Sequence, residues 1–167
     1  MSKRTIAVTV LLLFACFTGW LLIEASGPEV LREGSLLPQI EYTVKNGIDV
    51  LKPDSTKKTM VIFFNSECSH CKYELGELNN NIEKFENIRI YFFTIEKDFF
   101  QKPVVDGWKN LYAMPNVYFC IVDKNNYEKK FGSLVTPSIF LFNSSSKLTK
   151  KINGEMKIER LLEDLKI

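Results

Sequence analysis

Two cysteines separated by two residues, Cys68-Ser69-His70-Cys71, are the side chains of this 167-residue sequence best suited to chemistry. The pair follows an apolar run, Met60-Val61-Ile62-Phe63-Phe64, and precedes a stretch in which Cys71, Leu75, Leu78, Ile82 and Phe85 recur at spacings of three and four. Such a run reads as a strand buried on both faces, and such a spacing as a helix over 68–85. The cysteines therefore stand where a helix begins. Unpaired backbone N–H groups and the positive end of the helix dipole favour a thiolate there, and a free cysteine's pKa of about 8.5 falls by one to several units at such a site. Cys68, at the exposed start, suits a nucleophile; Cys71, a turn further in, suits a resolving thiol. Attack of Cys68 on a disulfide would give a mixed disulfide that Cys71 then breaks. The chemistry requires two sulfurs side by side, and either sulfur sealed inside the protein, or the two held too far apart to bond, would sink it.

Other readings of the pair stay open at this level. The cysteines can form a structural disulfide. Zinc usually takes four ligands and the sequence holds no second Cys/His pair, so neither a metal nor another cofactor is expected. His70 is the only histidine; as a cation between the cysteines it would stabilise the Cys68 thiolate, or it is merely an exposed helix-start residue. Thr136-Pro137 precedes the apolar run Ser138-Ile139-Phe140-Leu141-Phe142. A proline at a strand start suggests either a cis bond or a trans proline in a loop.

The elements that must position these groups follow from the rest of the pattern. Residues 40–51 read as a hairpin, with Asn46-Gly47 as a turn needing positive φ. A second buried strand spans 88–95, so strand, helix and strand form a right-handed βαβ unit with parallel strands. Residues 96–114 suggest a short helix and loops, and 117–122 a strand or a loop packed on the core. Strands follow at 138–142 and 148–152, separated by a turn at 143–146. A last helix starts at about Glu155, with Ile158, Leu161, Leu162 and Leu165 on one stripe.

Composition bounds the class. With 46% apolar and 25% charged residues the chain can build one globular domain, and thirteen phenylalanines point to aromatic-rich strands. The net charge of +2 is carried by Lys3 and Arg4; the chain from Glu24 onward is neutral, which argues against nucleic-acid binding. Cys120 lies in an apolar run, where a buried free thiol is expected.

Residues 5–23 contain no charge. A helix needs about 20 apolar residues to cross the hydrocarbon core. Lys3 and Arg4 ahead of the segment place the N-terminus inside and the bulk of the chain outside the cytoplasm, in the periplasm or beyond the cell. A cleaved signal peptide ending near Ala25-Ser26-Gly27, or a lipoprotein signal ending at Cys16, are the competing readings, and both also send the domain outside. The organisation expected is a transmembrane anchor or signal segment over 1–23, a linker over 24–35 and a domain over 36–167.

At this point the sequence resembles the thioredoxin superfamily, and more closely the TlpA/ResA-type membrane-anchored thiol–disulfide oxidoreductases. The resemblance rests on the strand before Cys68-Ser69-His70-Cys71, on Thr136-Pro137, on the Gly154 turn before a C-terminal helix, and on Glu74 three residues after Cys71. It implies an α/β thioredoxin-like fold, a central mixed sheet flanked by helices, with an N-terminal hairpin extension. It implies a cis-proline loop that blocks metal binding and exposes backbone at Thr136, where a substrate strand could pair. It implies proton transfer by Glu74, whose alternative is an ordinary exposed carboxylate. Protein thiols and disulfides would be the substrates, fed by a membrane or extracytoplasmic electron donor. Departures from the family are Glu67 in place of a tryptophan, Ile62 in place of a buried aspartate and Gly76 in place of a helix-kinking proline. Two alternatives of other classes are a non-redox thioredoxin-fold adaptor and a peroxiredoxin-like antioxidant.

Overall fold

A computed structural model describes residues 16–18, 31–54, 56–103 and 106–166. Seven strands form one sheet: β1 (Ile40–Val44), β2 (Gly47–Leu51), β3 (Lys58–Phe63), β4 (Ile88–Thr94), β5 (Val117–Ile121), β6 (Ser138–Phe142) and β7 (Leu148–Asn153). Their order across the sheet is β2-β1-β5-β4-β3-β6-β7. β3 runs parallel to β4 and β4 to β5, while the β1–β5, β3–β6 and β6–β7 pairs are antiparallel. The sheet is therefore mixed, with β3 near its middle. Residues 59–63 of β3 are all buried, as a strand covered on both faces must be.

Alternation along the strands divides the core in two. Met60, Ile62, Ile90, Phe92, Ile139 and Leu141 face one side. There they meet Leu75 and Leu78 of α1 (Ser69–Asn80) and Leu161 and Leu165 of α4 (Ile158–Leu165). Val61, Phe63, Phe93, Phe140 and Phe142 face the other, against Tyr42 of the hairpin and Tyr127 and Phe131 of α3 (Lys124–Phe131). Phe63 stacks on Tyr127 at 4.2 Å between ring centroids, and Phe131 crosses Phe140 edge-on at 5.2 Å. Leu31 is buried in this second core, and Gly34 donates its N–H to the Leu148 carbonyl at 2.7 Å.

Several expectations need correction. The hairpin exists, but Val44 pairs with Gly47, so its two loop residues are Lys45 and Asn46. Gly47, at φ 159, is nearly extended within the ladder, and neither Lys45 nor Asn46 has positive φ. The helix expected over 68–85 ends at Asn80, and a separate 3₁₀ turn, Ile82–Phe85, carries the rest of the buried stripe. Its asparagines break it. Asn81 donates its side-chain amide to the Glu77 carbonyl, and Asn79 turns its oxygen to the N–H groups of Asn110 and Leu111, at the start of α2 (Lys109–Ala113). Residues 117–122 contain a strand rather than a loop. Helix α3 has no counterpart among the expected elements; Asp123 caps it by accepting the Asn126 N–H at 2.9 Å, and Gly132, at φ 95, ends it. The last helix begins at Ile158, three residues later than expected, because Glu155 and Met156 bond to α1 and Lys157 forms the cap.

Among the described residues no helix is long and apolar enough to cross a membrane. The segment expected to span one, 5–23, lies outside the described residues except for 16–18.

Candidate active site

Strand β3 ends in the core at Phe63, and the chain turns through Asn65–Glu67 before α1 starts at Ser69. Polar contacts fix that turn. Asn65 Oδ1 accepts the Glu67 N–H at 2.8 Å, the turn expected of an asparagine side chain folding back on its own backbone. Ser66 is buried, and its N–H reaches Glu96 Oε1 at 2.9 Å. Lys102 Nζ ties Ser66 Oγ at 3.1 Å to Glu96 Oε2 at 3.3 Å. Glu96 and Lys102 come from the segment after β4, so the strand beside β3 delivers the groups that hold the turn. Nothing in the local sequence pointed to either.

Cys68 occupies the cap position of α1, with extended φ and ψ of −73° and 123°. Its sulfur is half-buried, whereas Cys71 has no exposure; both are free thiols. The complete burial of Cys71 departs from the requirement that neither sulfur be sealed in. Cys71 needs to reach only Cys68, however, and its side chain helps to lower the pKa of the Cys68 thiol.

As a thiol the Cys68 side chain makes no capping bond, but its thiolate is well placed. The free N–H of Cys71 acts on it most strongly, followed by the Cys71 and Thr136 side chains and the His70 N–H; together they outweigh burial and hold Cys68 below the usual thiol range. Burial dominates at Cys71 and pushes its thiol up to about 12, although the Asn65 N–H, 3.5 Å from the sulfur, works against it. One helical turn thus separates an easily ionised sulfur from one that keeps its proton.

The Thr136-Pro137 bond is cis. Pro137 is buried and Thr136 partly exposed, and the Thr136 carbonyl lies 3.9 Å from Cys68 Sγ, within range of a thiol donor. The exposed side chain of Val135 stands beside it. Loop and helix start, 68 residues apart in sequence, therefore meet at the Cys68 sulfur.

Glu74 is not the exposed carboxylate of the alternative reading. It has no exposure; Oε2 accepts the Met156 N–H at 2.9 Å, while Oε1 has no partner among the described residues. Burial, with the negative charges of Glu155 and Glu77, outweighs that hydrogen bond and raises its pKa to about 7. Neither sulfur is among its hydrogen-bond partners. His70 is exposed and pairs through Nδ1 with Glu155 Oε1 at 2.6 Å. Glu67, whose charge would oppose a thiolate, lies 3.7 Å from Lys72 and 3.8 Å from Lys102, which offset it. Ile62 is buried in the core. Cys120 is buried and free in β5, and burial raises its thiol far above the usual range. Among the described residues no group of three or more His, Cys, Asp or Glu side chains could hold a metal ion.

No curated protein matches the chain in sequence. Solved structures do match in fold. StoA from Bacillus subtilis is 19% identical, with a TM-score of 0.57 over 76% of this chain and 96% of its own. The thioredoxin domain of a thiol-disulfide oxidoreductase from Bacteroides vulgatus is 20% identical, with a TM-score of 0.54 over 80% and 94%. A peroxiredoxin-like protein from Aquifex aeolicus is 13% identical, with a TM-score of 0.65 over 82% and 87%. At these identities the likeness is one of fold. The family model described as a thioredoxin-like domain matches residues 44–166, a stretch that takes in the Cys68–Cys71 turn, the Thr136-Pro137 loop and the C-terminal helix, and the chain belongs to that thioredoxin-like family.

Proposed function

We propose that this chain is a thiol–disulfide oxidoreductase that exchanges disulfides with protein substrates through Cys68 and Cys71. The observation that carries this reading is the contrast between the sulfurs: Cys68 is reachable and stabilised as a thiolate, and Cys71 lies behind it, protonated. The Cys68 sulfur bonds to one sulfur of a substrate disulfide and expels the other as a thiolate. Cys71 then loses its proton, bonds to Cys68 and expels the second substrate thiolate. Two electrons and two protons pass from the protein dithiol to the substrate, and the reverse sequence oxidises a substrate dithiol. Glu74 is the candidate proton acceptor for Cys71, since its carboxyl changes state near neutral pH. The exposed edge at Val135 and Thr136 is the candidate docking site for a substrate strand.

A structural disulfide in a non-redox adaptor is disfavoured by the accessibility of Cys68, because a sulfur kept for bracing needs no path to solvent. A peroxiredoxin-like reaction is disfavoured by the resolving thiol standing one turn behind the first. The uncharged segment 5–23 behind Lys3 and Arg4 supports an extracytoplasmic domain held at the membrane and served by an electron donor there.

The purified chain is expected to cycle between dithiol and disulfide and to reduce a small aromatic disulfide catalytically. Cys68→Ser is expected to abolish turnover. Retained turnover in that variant removes Cys68 from the mechanism, and the absence of any reversible couple in the unaltered protein removes the function.

A further inference from the structure

The turn between β7 and α4 touches α1 twice, through consecutive residues. The Glu155 carboxylate meets His70 Nδ1 at 2.6 Å, and the Met156 N–H meets Glu74 Oε2 at 2.9 Å. Gly154, in the left-handed region at φ 101, turns the chain into this position and donates its N–H to the Pro137 carbonyl at 2.8 Å. Three consecutive residues, Gly154, Glu155 and Met156, thus face the cysteine helix on one side and the proline loop on the other. Helix α4 starts late for this reason: Glu155 and Met156 bond to α1, and Lys157 is the first residue to join α4, its carbonyl accepting the Leu161 N–H at 3.1 Å.

His70 is flanked by two groups that respond to its charge, Glu155 from this turn and Cys68 from the start of its own helix. Glu155 in turn faces His70 and Glu74. Tyr73, Glu77, Lys157 and Glu159 line the cleft beside it. The His70 backbone N–H, like that of Cys71, favours the Cys68 thiolate, and the His70 ring responds to the Cys68 charge, so residue 70 acts on the sulfur through both backbone and ring.

We propose that Glu155 is a positioning residue for the thiol chemistry: its carboxylate holds the His70 ring, in the charged form, at the start of α1, and so increases the thiolate fraction of Cys68. The inference deepens the reading of Cys68 as the attacking sulfur and rests on it. Glu155 does not touch the reacting atoms. Its own negative charge, felt directly, would oppose the Cys68 thiolate, so its influence has the stated sign only when transmitted through His70. That opposition of signs makes the proposal testable. The His70 ring is 71% exposed, so the effect belongs to the surface class of ion pairs, roughly half a pH unit in the Cys68 titration, or about a threefold change in thiolate below its midpoint.

The test uses the reduced full chain, Glu155→Gln, His70→Asn and the double variant. Cys68 is titrated by its alkylation rate against pH, read by mass spectrometry, and His70 by the NMR shifts of its ring protons. In the unaltered chain His70 is expected to titrate above the usual histidine range, and in Glu155→Gln to return to it, while the Cys68 midpoint rises by about half a unit. Glu155→Asp is expected to restore part of both shifts. In the His70→Asn background, Glu155→Gln is expected to leave the Cys68 midpoint unchanged or lower it. The proposal is overturned if His70 titrates identically with and without Glu155. It is also overturned if Glu155→Gln raises the Cys68 midpoint equally when His70 is absent, because Glu155 would then act through Glu74 or the turn. A chain without disulfide turnover would refute the proposed function, yet both titrations would still report the coupling.

Discussion

Glu74 accepts the backbone N–H of Met156 with one oxygen and leaves the other without a partner among the described residues. A carboxylate there is under-solvated, and the folded state prefers the protonated form. The usual value of 4.5 rises to about 7, so the folded chain binds more protons than the unfolded chain between those values. Stability is therefore greatest below the lower value and falls as pH rises through the window. The shift corresponds to about 3 kcal/mol across it. Urea midpoints measured from pH 4 to 8 should decline, and Glu74→Gln, which can still accept from Met156, should flatten the Glu74 contribution. An unchanged slope in the variant would show that other groups cause it.

The two cysteines of the pair should differ sharply toward an alkylating reagent. With Cys68 held below the usual thiol range and Cys71 pushed up to about 12, iodoacetamide at pH 7.5 should label Cys68 at least about a hundredfold faster. Peptide mapping after short exposures reads this directly. In Cys71→Ser, the mixed disulfide with a substrate should persist for lack of the second sulfur, and should be visible by mass spectrometry.

The turn before α1 depends on a carboxylate from another segment. Glu96→Ala removes the acceptor for the buried Ser66 N–H and a partner of Lys102. A loss of about 1–3 kcal/mol is expected from chemical denaturation, with a slower Cys68 alkylation rate as the turn loosens. A variant as stable as the parent would show that water replaces the carboxylate.

Tyr127 carries a hydroxyl that is buried without a partner among the described residues, while its ring stacks on Phe63 and Phe131. Tyr127→Phe keeps the stacking and removes an unpaired polar group. It should be neutral or stabilising by up to about 1 kcal/mol, read from the same denaturation curves. A clear destabilisation would reveal a water bonded to that hydroxyl.

The order of the central elements was legible in the chain because hydrophobic period and length are local properties. The apolar run into Phe64, the stripe from Cys71 to Phe85 and the run over 88–95 specify strand, helix and strand, and these alone place two sulfurs at a helix start. The break at Asn81 was not legible, since it depends on Asn79 finding N–H groups in α2. Helix α3 escaped a reading by apolar stripe because only Tyr127 and Phe131 face the core; its signals were Asp123 and Gly132. The hairpin turn was misplaced by one residue, because the register that pairs Val44 with Gly47 is set by both strands together.

Residue types and local spacing by themselves determined the candidate cysteine pair, its helix-start position, the buried thiol at Cys120 and the neutrality of the domain. Tertiary structure decided which sulfur is the more exposed, how deeply Glu74 is buried and whom His70 meets. Those outcomes depend on burial and on partners many residues away, Thr136 at Cys68, Met156 at Glu74 and Glu155 at His70. Desolvation and hydrogen bonding act through space, and no local pattern encodes which distant groups the fold will bring to a given atom.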